Sequence, residues 1–444
     1  MRASIAAEKA GIPAVSFVIT DFVPLAQHTA KGQGMHDIPI AEYSGAIFTH
    51  SDTDIDEAME RRVIGQIIEG LTKPIEERKA EAVGPGAMET VFKGTFEEVN
   101  EFFYRRGWTD GLPIIPPTKE KVEQFLKYTD RSADEEVAVL PLANLRATPW
   151  NIAVNGVMAG CRPEYMPILI AAVEAIGEPQ FRLKDIGNTC GCRPYLLING
   201  PITKQLDIYS GTGLISPGAR RIEAATATNP NSTIGRALHL IVQNIAGFKP
   251  GISEMAVFGH QQSFVLAEDE DGSPWEPYHV EHGFDRDTST VTAMAWMGTI
   301  GPESESKGDK ADIHLKSIGM ELRYGMHPIA YRFGRYSMVS VLIAPPIAKV
   351  IAADGYSKRE AAEQIFHDSS MTVRDINERL LGEFLTVHDF VERENSIPKS
   401  FDAAPDEKIP AVVSPDLIHI IVCGSRERNR TLLLFSFYTT PVTK

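Results

Sequence analysis

Ahead of YLLING, a run that reads as a buried strand, stands GNTCGCRP, in which Cys190 and Cys192 flank a single glycine. A thiol on a loop at a strand edge reaches solvent. Arg193 beside it would favour the thiolate, the form that attacks electrophiles and binds metals. The pair offers a dithiol that cycles between oxidised and reduced states, or two metal ligands. A ring closed over one residue would be strained and easily reduced. Two small residues filling a tight turn is the plainer alternative. Cys161, in VMAGCRPEYMPIL, follows one helix and precedes Pro163, a good first-turn residue for the next. The dipole of that second helix would acidify the thiol, whereas a packed core cysteine would be inert. Cys423 ends the apolar run Leu417 to Val422, and strand carboxyl ends are where open α/β sheets hold ligands.

Three further stretches could bind or transfer protons. In YSGTGLISPGARR, Ser210, Gly211, Thr212 and Gly213 form a loop rich in backbone N–H groups, followed by Arg220 and Arg221. Glycines let the main chain approach an anion, and arginine forks clamp carboxylate or phosphate. The loop fits neither the Rossmann fingerprint nor the P-loop, so nucleotide binding does not follow. SPWEPYHVEHGFDRD gathers Glu276, His279, Glu281, His282 and Asp285, a set that suits Zn²⁺ or ferrous iron, or an acid–base pair. It is not the H-E-x-x-H pattern, and a solvated charged loop has the same composition. In RGWTDGLPIIPPT, Trp108 and Asp110 stand before a stiff proline segment, where a carboxylate beside an indole could line a substrate pocket. A structural turn accounts for the same residues.

The elements that position these residues fall into a mixed α/β class. Residues 1–73 form a first block: a helix over Met1–Ala10, a strand over Ala14–Thr20, and a helix that Asp21 could cap, running to Gly32. A further helix carries Ile55, Met59, Val63, Ile67 and Leu71 on one stripe. Residues 74–90 are charged, then rich in Gly and Pro, as in a linker. Residues 91–444 form a larger mixed α+β domain. It opens on Thr95 and Glu98 at capping-box spacing and on Thr118 as a second helix cap. NSTIGRALHLIVQNIAG gives its cleanest amphipathic helix, and YSKREAAEQIF and MTVRDINERLLGEF give two more. SFVLAE, SMVSVLIAP and LIHIIVCG join YLLING as strands.

Lys and Arg number 44 against 59 Asp and Glu, a net charge of −15. An acidic surface disfavours nucleic acid and leaves a small-molecule substrate or another protein, a second copy of the chain included, as partner. No apolar run is long enough to cross a bilayer, and the N-terminus lacks the apolar core of a signal peptide. Four cysteines in so long a chain make no disulfide framework, which leads us to expect reduced thiols in a cytoplasmic protein.

The segments ASIAAEKAGIPAVSFVITDFVPLAQ and DIDEAMERRVIGQIIEGL resemble the C-terminal part of the UGSC-type domain, named for a selenocysteine-Gly-Ser-Cys motif that is Cys-Gly-Ser-Cys in some members. RGWTDGLPIIPPT, NGVMAGCRPEYMPIL, NGPITKQLDIYSGTG, NSTIGRALHLI and SPWEPYHVE resemble the large domain often found beside it. The resemblance implies a truncated Rossmann-like half-domain, whose motif loop and first strand would precede the helix that begins near Met1. Because UGA encodes selenocysteine and is ordinarily taken as a stop, the expectation is a reading frame begun downstream of such a codon. The first block is also similar, more distantly, to selenoprotein subunits of glycine and proline reductases. That similarity implies a thiol- or selenol-dependent oxidoreductase, acting on a small anionic substrate through a covalent adduct and regenerated by a thiol reductant protein. Cys190 or Cys192 would resolve the adduct, with Arg220 or Arg221 on an acidic group and His279 or His282 moving protons. A Zn- or Fe-dependent hydrolase or lyase built on Glu276, His279 and His282, and a non-catalytic subunit of a larger complex, are the competing readings.

Overall fold

The N-terminal block is a strand–helix–strand unit entered from a helix, as its periodicity predicts. In the computed structural model α1 (Arg2–Lys9) leads to β1 (Ser16–Ile19), α2 (Val23–Gly32) and β2 (Ile40–Tyr43). The two strands are parallel, with Ser16 opposite Ile40. The structure describes residues 1–74, 86, 88–216, 218, 229–259, 262–302, 308–380, 385–393, 397–437 and 439–444, apart from the side chains of 327–333 and 393. Asp21 does not cap α2. It lies in a 3₁₀ turn, Thr20–Phe22, and Pro24 in the first turn starts the helix instead. The striped helix is α3 (Asp52–Ala58), a π turn over Met59–Val63, and α4 (Ile64–Thr72), opened by a Ser51–Asp54 capping box. Apolar residues spaced by four drift around a helix of about 3.6 residues per turn, and the wider π turn brings the stripe back into line.

The larger domain starts with α5 (Phe96–Arg105), under the Thr95–Glu98 capping box, and α6 (Lys119–Leu126), capped by Thr118. A small antiparallel pair, β3 (Ala138–Leu140) and β4 (Leu145–Ala147), precedes α7 (Pro149–Ala159) and α8 (Met166–Gly177). Gly160, at φ +82°, ends α7 in the left-handed conformation that glycine adopts without strain. Then come β5 (Arg193–Asn199), α9 (Ile202–Gln205), α10 (Pro230–Asn244), β6 (Val265–Ala267), α11 (Tyr278–Glu281), β7 (Thr290–Trp296) and β8 (Gly298–Ile300). The last part holds α12 (Ala311–Phe333), β9 (Met338–Ile343), α13 (Pro345–Ala353), α14 (Lys358–Asp368), β10 (Met371–Thr372), α15 (Val373–Arg379) and α16 (Val387–Arg393). It closes with β11 (Lys408–Ile409), β12 (Ile418–Val422), β13 (Thr431–Ser436) and β14 (Val442–Thr443).

Two four-stranded mixed sheets, ordered β14-β7-β5-β6 and β12-β9-β13-β8, stack face to face. Strand alternation decides which side chain enters which layer. Leu196 and Ile198 of β5 join the core beneath α7, α8 and α10, while Tyr195 and Leu197 face Met338, Leu342 and Leu434 of the second sheet. Val339, Val341 and Ile343 of β9 turn the other way, onto α12, α13 and α14. The result is four layers, helix–sheet–sheet–helix. The chain crosses between sheets at Met297, whose N–H donates to Phe435 O at 2.9 Å. Tyr195 Oη donates to Ser340 Oγ at 2.6 Å across the inter-sheet core. All seven residues of β5 and of β7 are buried, as expected of strands covered on both faces.

The first block docks on the larger domain through a close backbone approach. A Cβ on Gly32 would lie 2.3 Å from Leu142 O, and Asn144 Nδ2 donates to Gly32 O at 2.7 Å. Gly32→Ala is expected to loosen this docking and cost about 1–3 kcal/mol, since a carbonyl cannot yield as a flexible side chain does. Gly65→Ala, with open space around it in α4, is the control and should be neutral. Urea unfolding with hydrogen exchange of α2 measures both, and equal behaviour of the two variants would refute the docking contact.

Candidate functional site

The four cysteines are all free, and Cys190 is the exposed one. Cys192 stands one residue before β5, and its Sγ lies 3.8 Å from Phe437 O. Burial pushes its thiol up to about 12 against weaker hydrogen bonds from Ser436 and Phe437. Burial likewise raises Cys161 to about 12 and Cys423 higher, so neither matches the activated thiol that its place in the sequence suggested. Arg193 does not serve Cys190 either. Its side chain is buried and ion-paired with Glu254, because a guanidinium on a fully buried strand needs a carboxylate partner.

Cys190 sits on a turn built by Asn188. Asn188 Oδ1 accepts from the N–H of Cys190 at 2.9 Å and of Gly191 at 3.2 Å, and Nδ2 donates to Asp185 O at 3.0 Å. Thr189 O accepts from Val257 N at 3.1 Å, pinning the turn to the neighbouring loop. Asn188 also lines a cleft of about 560 Å³ between the two parts of the chain. Phe17 and Ile19 of β1 and Phe22 form one wall; Leu142, Phe248 and Ser253 form the other. Arg2 bridges it, pairing with Asp185 at 2.9 Å and donating to Lys184 O at 2.8 Å. Arg2 and Lys184 thus bring positive charge to a largely apolar cleft of metabolite size. Asn188 and Lys184 were not singled out in the sequence. An Asn two residues before a cysteine is an Asx-turn signal that would have found the first.

The histidine stretch does not converge on a metal centre. Glu276 pairs with Arg286 at the surface, and His282 Nδ1 lies 2.7 Å from Tyr278 O. His279 is fully buried, with Nε2 3.3 Å from Arg286 O and Nδ1 3.8 Å from Glu270 Oε1. No group of three His, Cys, Asp or Glu side chains among the described residues could hold a metal ion. A locked polar network stands there instead. Lys358 Nζ reaches Glu281 Oε2 at 2.8 Å and Glu268 Oε1 at 3.4 Å, while Glu268 Oε2 accepts from Asn199 Nδ2 at 2.7 Å and Tyr278 N at 2.6 Å. It ties α11 and α14 to the carboxyl ends of β5 and β6. Glu268, the carboxylate that closes the apolar run SFVLAE, was its sequence signal.

Asp110 is engaged too. Burial opposes its charge, but Arg236, bidentate at 2.8 and 2.9 Å, holds its carboxyl below the usual range. The pair fastens the Trp108–Leu112 turn to α10 rather than presenting a carboxylate to substrate. Ser210 O accepts from Gly424 N at 2.7 Å, and Gly211 and Gly213 carbonyls accept from Leu214 and Ser216, so this loop is folded on itself from Ser210 through Thr212 to Ser216. Arg220 and Arg221 lie outside the described residues.

Residues 1–73 match the model of the UGSC family, so the N-terminal block is a UGSC-type region followed by a further domain. No curated protein matches the chain. Among the described residues no helix is long and apolar enough to cross a membrane.

Proposed function

We propose that the protein is a thiol-dependent oxidoreductase, acting on a small organic substrate bound in the cleft between the UGSC-type block and the larger domain. The observation that carries this reading is the placement of Cys190: the exposed thiol of the four stands on the turn whose Asn188 lines that cleft. Arg2 and Lys184 favour an anionic substrate. In the proposed cycle the Cys190 thiolate attacks one sulfur of a disulfide-bearing small molecule. A Cys190–substrate S–S bond forms, and the other half leaves as thiolate. A dithiol reductant then attacks the mixed disulfide, releases the second half as thiol and ends as its own disulfide. Two electrons pass from reductant to substrate, and Cys190 is regenerated. Cys192 takes no part, since its thiol is buried and stays protonated.

Incubation with bis(2-hydroxyethyl) disulfide, read by intact and peptide mass, is expected to give one adduct on Cys190. Turnover with dihydrolipoamide should fall about a hundredfold or more in Cys190→Ser and persist in Cys192→Ser. Equal turnover in Cys190→Ser and the parent protein would sink the reading.

A further inference from the structure

Asp110 is fastened to Arg236, but its neighbour Trp108 lines a second cavity, of about 820 Å³, which shares no described lining residue with the cleft beside Cys190. Residues 88–95, α5, residues 116–121 and α7 supply most of its walls. The apolar part of the lining is fixed in place. Trp108 stands edge-on to Phe102 and Phe103, with ring centroids 5.9 and 5.3 Å apart, and Phe92 stacks on Phe102 at 4.6 Å. Phe103 and Met158 belong to the core beneath the first sheet, and Val99, Trp108, Trp150 and Val154 pack against it while only partly buried. Val91, Phe92 and Phe96, at 38%, 38% and 52% exposed, border the same cavity. Apolar and aromatic side chains gathered about one hollow and left in contact with water mark a place where an apolar molecule binds.

The charges around the cavity select the ligand's sign. Lys93, Lys119, Lys121 and Lys249 line it against two carboxylates, Glu89 and Glu120, in a chain whose net charge is −15. Among the described residues none of these four lysines has a carboxylate within ion-pair distance. Glu120 is engaged at the start of α6, accepting from its own backbone N–H and from the Thr118 side chain. The amide of Asn244 is spent within the wall, its Nδ2 donating to Asn155 Oδ1 at 2.9 Å and to Trp108 O at 3.0 Å. We infer that this cavity binds a carboxylic acid with a long apolar body, the body lying along Trp108, Trp150 and Val154 and the carboxylate held among the lysines. The acid covers apolar walls that water now touches, and its head supplies the negative charge that the four ammonium groups do not find within the protein. This site is independent of the reading of Cys190, and either can fail without the other.

Decanoate is the probe, and decyltrimethylammonium carries the same length of chain under the opposite charge. A protein of net charge −15 attracts the cation overall, so a preference for the anion reads the lysines of the cavity. Trp108 and Trp150 are two of the four tryptophans, and binding is followed by their emission and by calorimetry. Decanoate is expected to shift the emission saturably, with the cation bound about tenfold more weakly. Lys93→Gln combined with Lys249→Gln should weaken decanoate about fivefold and leave the urea midpoint in place, since neither lysine holds an ion pair among the described residues. No saturable change with millimolar decanoate, equal or tighter binding of the cation, or unchanged affinity in the double variant overturns the assignment. So does a parent protein that sediments as a dimer which Phe96→Glu splits, a result that gives this face to a second copy of the chain.

Discussion

Arg193→Met is expected to destabilise the protein by about 3–5 kcal/mol, the loss typical when one partner of a buried ion pair is removed. The Arg193 and Glu254 side chains are each 4% exposed, so the variant takes the guanidinium away from a carboxylate held in the interior. Methionine has the length and apolarity to fill the arginine's space, which isolates the charge effect from a packing defect. Adding Glu254→Gln should restore part of the loss, because a neutral amide is far cheaper to bury than a carboxylate that has lost its guanidinium. Urea unfolding of the single and double variants measures both. A single variant within about 1 kcal/mol of the parent protein would mean that the pair holds nothing together. The pair also anchors the first residue of β5, two positions after Gly191. Alkylation of Cys192 in folded protein is therefore expected to rise in Arg193→Met, a readout that general destabilisation measured by urea does not supply.

Stability is also expected to fall as pH drops from about 6.5 towards 4, through His419. Its Nδ1 lies 3.1 Å from Tyr278 Oη, and its Nε2 is buried without a hydrogen-bond partner. Burial first, then the nearby His282, outweigh the attraction of Asp416 and lower the imidazole to about 4. The sign follows from proton counting. Below about 6.5 the unfolded chain takes up a proton that the folded protein refuses until about 4, so acid favours unfolding across that window. The contribution is intact above 6.5 and lost by 4, and amounts to about 3 kcal/mol at most. His419→Gln should flatten the dependence of the urea midpoint between pH 6.5 and 4.5. A slope identical to the parent protein's would assign the acid sensitivity to carboxylates instead. Asp110 adds to the loss only at lower pH, since its depressed carboxyl holds its charge until below the usual carboxylate range.

Local rules recovered the elements whose cause is local. The Thr95–Glu98 box closes as its spacing implies, and α10 buries Ile234, Leu238, Ile241 and Val242. The run that became β5 was recognisable because four to seven apolar residues in a row suit a strand covered on both faces. Its antiparallel neighbour β7, TVTAMAW, was not singled out. Threonines and alanines there give a weak local signal, and what makes the strand is pairing with β5 from Thr290 opposite Asn199 to Trp296 opposite Arg193. The histidine stretch is dense in sequence but not in space: Glu276 precedes α11 and turns to Arg286, His279 is buried within it, and His282 follows it and turns to Tyr278 O. Proximity along the chain does not reveal which partner each side chain finds in another segment.

The sequence by itself determined the class of the fold, the helix starts marked by Thr95 and Thr118, and the kinship of the first block, because composition, capping and periodicity act within a few residues. The tertiary structure alone decided which cysteine is exposed. Residues two apart on a strand share a face, but Gly191 at φ +82° and the Asn188 turn break the extended run between Cys190 and Cys192. One thiol is left outside beside the cleft, and the other is drawn beneath Phe437, 245 residues further along the chain. Burial is made by distant segments meeting, and it is what separates the enclosed Cys192 thiol, held near 12, from the exposed Cys190.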